Sequence, residues 1–336
     1  MMNKIVGLAC FGLIILSCKS QKNGSEETFT IAFGSCNKQY EENTLWDDVL
    51  LYKPDVWIWG GDNIYSDTDE AEKMKSDYEA QLKQKGYEEL AHSTTVIGTW
   101  DDHDYGINDG GAEFKMKKES QQLFLDFLGV DKTDVRRERE GVYSSETYRF
   151  KTGSVRIIIL DTRYFRTSLT PDNESKKRFK PNVYGEGTIL GNAQWNWLEK
   201  ELKNSEADFN IIMSSIQVLS DKHGFETWGN FPHERDRLIN LIKESSARGV
   251  IILSGDRHIS EFSKIDLDGQ PLVDFTSSGL THTYTSYKGE ENPYRYGKVI
   301  KDKSFGILEL DFKSRKVNMI MAGDGNKVLQ KITESY

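Results

Sequence analysis

The sequence lacks several features that mark particular classes of protein. Basic residues are in deficit, because 44 lysines and arginines stand against 53 acidic residues and the formal net charge is −9. An acidic chain does not bind polyanions through its overall field, so we expect no specific nucleic-acid partner. Internal repeats are absent, and the only biased segment is a short polar one near the N-terminus. Any site that binds phosphate therefore needs a local source of positive charge.

Apolar runs of membrane-spanning length are also missing. The run Ile5–Leu16 follows Lys4 and is too short to span a bilayer stably, but it suits the apolar part of a signal peptide. It ends in Leu16-Ser17-Cys18, which resembles the lipobox of bacterial lipoproteins, where the cysteine carries the lipid. We therefore expect a signal peptide over residues 1–17, a lipidated Cys18 and a flexible tether over residues 18–27. That reading predicts an exported lipoprotein on the periplasmic or cell-surface side of a membrane. The alternative is a buried first strand or helix.

Cysteine is scarce, with three residues in the chain. If Cys10 leaves with the signal peptide and Cys18 carries lipid, Cys36 has no partner and the mature chain has no intramolecular disulfide. An unpaired thiol in an exported protein calls for an explanation. Two are open at this point, a buried inert cysteine and a functional thiol.

From residue 28 onward, apolar runs rich in β-forming residues alternate with helical patterns. This order predicts a single α/β domain over residues 28–336, built on a largely buried sheet. The predicted strands are Phe29–Gly34, Val56–Trp59, Thr94–Trp100, Ser154–Leu160, Phe209–Ser214 and Val250–Leu253. The predicted helices are Asn43–Tyr52, Asp69–Gly86, Glu113–Leu128, Asn192–Leu202 and Pro232–Ala247. Three later segments alternate like antiparallel strands: Pro271–Ser277, Ser304–Phe312 and Lys316–Ala322.

Chemically active side chains follow the predicted strands. The residues directly after strand ends include Cys36, Asp62, the run Asp101–Asp104, Asp161 and the run Asp256–His258. A single aspartate at such a place is usually a turn former or a helix cap. Ligands of parallel sheets, however, bind beyond the carboxyl ends of the strands. Carboxylates gathered there would repel one another unless a cation lay among them, so the pattern predicts a site for several metal ions.

Five motifs in order give the chain a resemblance to a known family. They are FGSC (33–36), GDNIYSD (61–67), WDDHD (100–104), LDTRYF (160–165) and GDRH (255–258). Together they resemble the PhoD-like, or alkaline phosphatase D, branch of the metallophosphoesterases, from about Thr28 to beyond Thr285. The resemblance implies an α/β fold of the metallophosphoesterase type, a β-sandwich flanked by helices (α/β/β/α) in one domain over residues 28–336.

The resemblance also implies a set of metal ligands. Asp62 is expected to bridge two cations, with Tyr65 as phenolate and Cys36 as thiolate on ferric iron. Asp102 and Asp256 are expected to bind calcium, and Asp101 either assists them or caps the loop. His258 is a further candidate, as a ligand or as a donor beside the metals. The implied cofactors are therefore Fe³⁺ and Ca²⁺.

Four residues are expected to act directly on the phosphate or to support those that do. His103 would donate to phosphate oxygens or to the leaving oxygen, and Asp104 would orient it. Arg163 is a candidate phosphate clamp, with an ion pair to a nearby aspartate as the alternative. His258 is the fourth. Whether His282 belongs to the site stays open.

The implied function is hydrolysis of a phosphoester by a metal-bound hydroxide or oxide, by a monomer held at a membrane through its lipid. Phosphomonoesterase and phosphodiesterase activity, including phospholipase-type cleavage, stay open. A lipid-anchored binding protein using Trp195, Trp197 and Trp228 is the alternative from another class. The basic run 176–180 is expected to be a solvated loop rather than a guide for anions. The tyrosine-rich segment 281–296 is either a wall of the active site or an ordinary surface loop.

Overall fold

The computed structural model describes residues 28–336, which form fifteen strands and seven α-helices. The predicted signal peptide, Cys18 and the tether lie outside the described residues. The strands are β1 (Thr28–Gly34), β2 (Val56–Gly60), β3 (Thr95–Thr99), β4 (Ser144–Arg149), β5 (Ser154–Ile159), β6 (Thr170–Pro171), β7 (Phe179–Lys180), β8 (Phe209–Met213), β9 (Val250–Ser254), β10 (Ser260–Leu267), β11 (Gln270–Ser277), β12 (Arg295–Ile300), β13 (Ser304–Asp311), β14 (Lys316–Gly323) and β15 (Lys327–Ser335). The helices are α1 (Leu45–Leu51), α2 (Ala71–Leu82), α3 (Tyr87–Ser93), α4 (Asp102–Tyr105), α5 (Lys117–Phe127), α6 (Gly191–Lys203) and α7 (Pro232–Glu244).

The larger strands form two sheets, not the one that the residues alone predict. The first has the order β15-β14-β13-β1-β2-β3, with β1, β2 and β3 parallel. The second has the order β12-β10-β11-β9-β8-β5-β4, with β5, β8, β9 and β11 parallel. Strands β6 and β7 form a separate short hairpin. The parallel strands of both sheets are largely buried and mostly apolar, so the sequence pattern does not tell the sheets apart.

The two sheets pack face to face and each is covered by helices on its other side. Between them lies a core that includes Phe33 and Phe275, whose ring centroids are 4.9 Å apart. Residues of α1, α2, α3 and α5 pack on the outer face of the first sheet. Residues of α6 and α7 pack on the outer face of the second. The α/β/β/α sandwich implied by the family resemblance is therefore confirmed.

Strand β2 shows why its sequence is apolar without alternation. Val56 and Ile58 enter the core between the sheets, whereas Trp57 and Trp59 point to the helical side. The indole of Trp46 in α1 packs edge-on against both tryptophans, at centroid distances of 5.1 and 5.5 Å. Neighbouring side chains of a strand point to opposite faces, so a strand buried on both faces needs apolar residues at every position.

Several element bounds differ from the sequence-based prediction. The helix predicted over Asp69–Gly86 is α2 and ends at Leu82, and the prediction missed α3, which begins after Gly86, a residue with a left-handed backbone and φ of 81°. A Cβ at Gly86 would lie 2.6 Å from Trp46 Cβ, so the close packing of the turn also requires glycine. The prediction missed the edge strands β4, β12 and β15, which have many exposed polar side chains, and also β10 inside the second sheet. Within residues 28–336, no helix is long and apolar enough to cross a membrane.

Candidate metal centre

Loops that follow four parallel strands bring acidic, thiol and imidazole groups to one edge of the sandwich. Three of these strands, β1, β2 and β3, belong to the first sheet, and β9 belongs to the second. Most of the strand-end groups of the sequence therefore do converge, although they come from two sheets, whereas Asp161 binds Trp100 and backbone N–H groups instead. Their ligand atoms form three groups, each with all atoms within 4.8 Å of one another: Cys36 with Asp62 and His258, Asp62 with Asp102 and His103, and Asp101 with Asp102 and Asp256.

The backbone at this edge is unusual for residues that carry a Cβ. Cys36, Asp62, Asp256 and His258 have φ values of 60°, 50°, 66° and 53°. This left-handed region is sterically unfavourable for most side chains, and such residues cluster at functional sites. Gly61 precedes Asp62 and allows a close approach, because a Cβ there would lie 2.5 Å from Asp101 Cβ. The turn after β2 is therefore shaped to set two aspartates against each other.

The first part of the site joins a thiol, a carboxylate and a phenol. The Tyr65 hydroxyl donates to Asp62 Oδ2 at 3.0 Å and lies 3.4 Å from His258 Nε2. Cys36 Sγ lies 3.4 Å from the same carboxylate oxygen. Burial raises the pKa of Cys36 to about 11 and raises that of Tyr65 as well. A cation among these groups would favour the thiolate and the phenolate, which are the forms that bind metals.

The second part of the site is a group of three buried carboxylates. Burial raises the pKa of Asp101, and it raises that of Asp256 to about 7. Burial also opposes ionisation of Asp102, but the charges of Arg163 and His103 outweigh it and lower the pKa to about 2. Within the described part of the chain, Asp101 Oδ2 and Asp102 Oδ1 are buried and accept no hydrogen bond. Buried oxygens are rarely left without a partner, and carboxylate oxygens are what hard cations bind, so this donor set fits metal ions.

His103 lies at the site but its orienting partner is not the predicted one. Its Nδ1 is 2.8 Å from both carboxylate oxygens of Asp67. Its ring stacks on Tyr65 at a centroid distance of 4.1 Å. Burial lowers the pKa of His103, but the charges of Asp62, Asp67 and Asp102 outweigh it and raise the pKa to about 10. The prediction that Asp104 orients His103 is therefore wrong.

Asp104 instead forms hydrogen bonds that connect the two loops carrying the candidate ligands after β2 and β3. Its carboxylate accepts from the backbone N–H groups of Asp62, Asn63 and Asp101, at 3.2, 3.3 and 2.6 Å. Asp101 and Asp104 also cap the start of α4 reciprocally. A short helix after β3 thus fixes the ends of two strands relative to each other. Asp104 acts on the site through the backbone and does not face a ligand.

Arg163 does not reach the cleft, so its predicted role as a phosphate clamp is wrong and the ion-pair alternative is correct. The side chain is fully buried. Its Nε donates to Asp101 Oδ1 and its Nη1 to Glu226 Oε2, both at 2.5 Å. Arg166 pairs with the other oxygen of Glu226 at 2.9 Å. Arg163 therefore holds Asp101 in place from the buried side of the site.

Some residues at the site were missed or left open by sequence reasoning. His282 lies over the first part of the site, with ring centroids 5.0 Å from Tyr65 and 4.5 Å from His258. Asp67 and Glu226 were not singled out. Asp67 follows Asp62 within the same motif, which was the one available signal. Glu226 is remote in sequence and no pattern marked it.

A cleft of about 380 Å³ opens in front of the carboxylates. It is lined by candidate ligands and by residues of other loops. The lining residues are Asp102, His103, Asn108, Asp109, Arg178, Phe225, Glu226, Asp256, Arg257, His258, Thr283 and Tyr284. Segment 281–296 therefore does contribute to the wall, through Thr283 and Tyr284. Residues 176–178 of the basic run are exposed, as expected of a solvated loop, and Arg178 also lines the cleft.

The tryptophans that a binding protein would use are not available as a platform. Trp195 and Trp228 are 1% and 0% exposed, and Trp195 Nε1 donates to Glu234 at 2.8 Å. Trp197 is partly buried and packs on Tyr143 at 4.8 Å. Two of the three residues behind the binding-protein alternative are therefore core residues.

Comparisons with known proteins agree with this arrangement. The family model described as PhoD-like phosphatase matches residues 31–319. Alkaline phosphatase D of Bacillus subtilis (strain 168) is 26% identical in an alignment 277 residues long that covers 71% of this chain and 47% of the relative. The chain thus spans about half the length of that curated relative.

Solved structures show a similar fold at low sequence identity. A structure of PhoD superposes with a TM-score of 0.69 and 17% identity, over 92% of this chain and 68% of that one. A dimetal phosphatase from Danio rerio gives a TM-score of 0.54 and 14% identity, over 92% of this chain and 99% of that one. At these identities the likeness establishes the sandwich alone.

Proposed function

The chain belongs to the PhoD-like phosphatase family, and from that premise we propose that it is a metal-dependent phosphoester hydrolase. One observation carries the proposal. Within residues 28–336, two buried carboxylate oxygens, Asp101 Oδ2 and Asp102 Oδ1, accept no hydrogen bond although they lie among three converging groups of ligand atoms. Such an arrangement is costly in a metal-free protein and suits one that holds cations.

We assign the two parts of the site to different ions, Fe³⁺ and Ca²⁺. Thiolate and phenolate suit ferric iron, so Cys36 and Tyr65 would hold it, while Asp102 and Asp256 would hold the harder calcium ion. Asp62 belongs to two of the three groups, which suits a bridge between ions. Bound ions would neutralise the charge of the phosphate and activate the nucleophile as Lewis acids.

The protein's own residues would place and protonate the ester. His103 Nδ1 is hydrogen-bonded to Asp67, so its Nε2 would donate to a phosphate oxygen or to the leaving oxygen. His258 and His282 close the first part of the site above Tyr65. Arg163 and Asp104 hold Asp101 and Asp62 in position without contacting the substrate.

Hydrolysis of an aryl phosphate monoester and of the matching bis-aryl diester tests the proposal. We expect turnover with iron and calcium, a fall to below roughly 1% after exhaustive chelation, and recovery when both metals return, because the carboxylates alone repel phosphate. A faster monoester reaction supports a phosphatase. A faster diester reaction supports a phosphodiesterase, with phospholipid cleavage as the next assay. Turnover that survives complete metal removal contradicts the metal-dependent mechanism.

We further propose that the chain is an exported lipoprotein anchored through Cys18. The support is the apolar run before Leu16-Ser17-Cys18 and the polar segment after it. In a bacterial host, labelled palmitate should enter the wild-type protein and not Cys18→Ala, and the variant should leave the membrane fraction. Equal labelling of both proteins would contradict the anchor.

A further inference from the structure

The basic run 176–180 is held against the loop that carries Phe225. Lys177 Nζ donates to the backbone oxygen of Lys222 at 2.6 Å. The backbone N–H groups of Arg178 and Phe179 both donate to Gly224 O, at 3.0 and 2.9 Å. A Cβ on Gly224 would lie 2.5 Å from Lys177 Cβ, so the two loops are in close contact. The run is therefore fixed relative to the cleft.

That contact places the Arg178 guanidinium on the cleft wall. Arg178 forms an ion pair with Asp109, and its side chain remains 51% exposed. The backbone N–H of Asp109 donates to Asp102 Oδ2 at 2.6 Å. Arg178 is thus linked through one residue to a candidate metal ligand. Asp109 uses one nitrogen of the guanidinium, and a guanidinium has five N–H donors in a planar fork.

The other arginine of the cleft is committed elsewhere. Arg257 is 5% exposed, pairs with Glu290 at 2.8 Å and lies over the Phe225 ring at 4.4 Å. It supports the aromatic wall that Phe225 and Tyr284 form. Of the two arginines, Arg178 therefore has the donors that a ligand in the cleft can reach.

The cleft is larger than a lone phosphate requires. Its volume of about 380 Å³ lies in the range of roughly 300–1,000 Å³ that is typical of pockets for whole small molecules. Arg178 lines this cleft together with the carboxylates of Asp102 and Asp256. A phosphate at the carboxylates would thus leave room in the cleft for a leaving group that Arg178 can contact.

We propose that Arg178 is a subsite for a second anionic group, so that the enzyme acts on phosphoesters whose leaving group carries a carboxylate or a further phosphate. This inference rests on the proposed function, because it takes the scissile phosphate to lie at the carboxylates. Asp109 faces Arg178, and the incoming anion shares the guanidinium with it. Asn108 and Glu226 also line the cleft.

Equilibrium binding of a matched pair of non-hydrolysable ligands tests the subsite. Isothermal titration calorimetry with the full-length, metal-loaded protein in detergent compares benzylphosphonate with 4-carboxybenzylphosphonate. We expect the carboxylated ligand to bind roughly fivefold to tenfold more tightly. This is the gain in affinity expected from one charge-assisted hydrogen bond between its carboxylate and the half-exposed Arg178. Arg178→Gln should remove this preference and change benzylphosphonate affinity by less than about twofold. Lys176→Gln is the matched control, an exposed cation of the same run, and should keep the preference.

Two results would overturn the subsite. One is that the wild-type protein binds the carboxylated ligand no more tightly than benzylphosphonate. The other is that Arg178→Gln lowers the affinity for both ligands equally. Thermal unfolding of the variant checks that it is folded, and Arg178→Lys, which keeps the charge, should retain part of the preference. Hydrolysis of phenyl phosphate by the same preparations separates the two proposals. No turnover contradicts the hydrolase, whereas turnover without a carboxylate preference in binding contradicts the subsite alone.

Discussion

Replacement of Asp62 by Asn should lower kcat/KM for phosphoester hydrolysis by more than about a hundredfold. Loss of a residue that only supports a metal ligand already lowers metal affinity or activity by about 10-fold to 100-fold, and Asp62 is proposed to be a ligand itself. The carboxylate of Asp62 belongs to the thiol–phenol part of the site and to the part that contains Asp102. Asn has nearly the same shape but no charge, so it would weaken the binding of both ions. Metal content by elemental analysis and turnover of an aryl phosphate measure the effect.

The fold should survive this change. Burial raises the pKa of Asp62, so an uncharged side chain is not penalised at this position. The matched control is Asp161→Asn, another buried aspartate after a strand. Asp161 accepts from Trp100 Nε1 and from the backbone N–H groups of Arg163 and Tyr164, each at 2.9 Å. That variant should lose stability and keep its metal. Near-wild-type activity of Asp62→Asn would refute the assignment of the site.

Replacement of Arg163 by Met should lower the free energy of unfolding by about 3–5 kcal/mol, the usual result of removing one partner of a buried ion pair. Arg163 is fully buried between Asp101 and Glu226. Glu226 keeps Arg166, but Asp101 loses its counter-charge among three carboxylates. Denaturant unfolding of the metal-free protein measures the change, and metals should restore part of the loss by compensating Asp101.

Lys203→Met is the control for this prediction. Its Nζ lies 2.5 Å from Glu199 on the surface of α6, where both side chains are largely exposed. Exposed pairs of this kind contribute less than about 1 kcal/mol. The double variant Arg163→Met with Glu226→Gln should recover part of the stability, because it also removes one buried charge. If Arg163→Met unfolds at the same denaturant concentration as Lys203→Met, the buried network does not stabilise the protein as described.

The convergence of the candidate ligands could be predicted because it depends on local sequence. A strand buried on both faces is apolar, it ends at a polar residue, and that residue lies at the edge where ligands bind. This reasoning placed Cys36, Asp62, Asp102 and Asp256 together without any coordinates. It did not divide the strands between two sheets, since the parallel strands of each sheet have the same apolar pattern.

The partners of the ligands were predicted less well because they depend on tertiary contacts. Asp104 is adjacent to His103, but helix α4 turns its carboxylate toward the backbone N–H groups of Asp62 and Asn63 in another loop. Asp67 reaches His103 from a different loop. Arg163 follows a strand, as the candidate ligands do, but its ion pair with Glu226 from a distant segment holds it in the core. None of these directions is encoded in the spacing of the sequence.

The left-handed backbone of Cys36, Asp62 and Asp256 has a consequence for directed evolution. Glycine or asparagine would relax each of these turns, since both tolerate the conformation better than other residues do. A library selected for heat resistance alone would therefore enrich such replacements and discard the ligands with them. Selection on this scaffold should score turnover in every round, and these three codons are best left out of the randomised set.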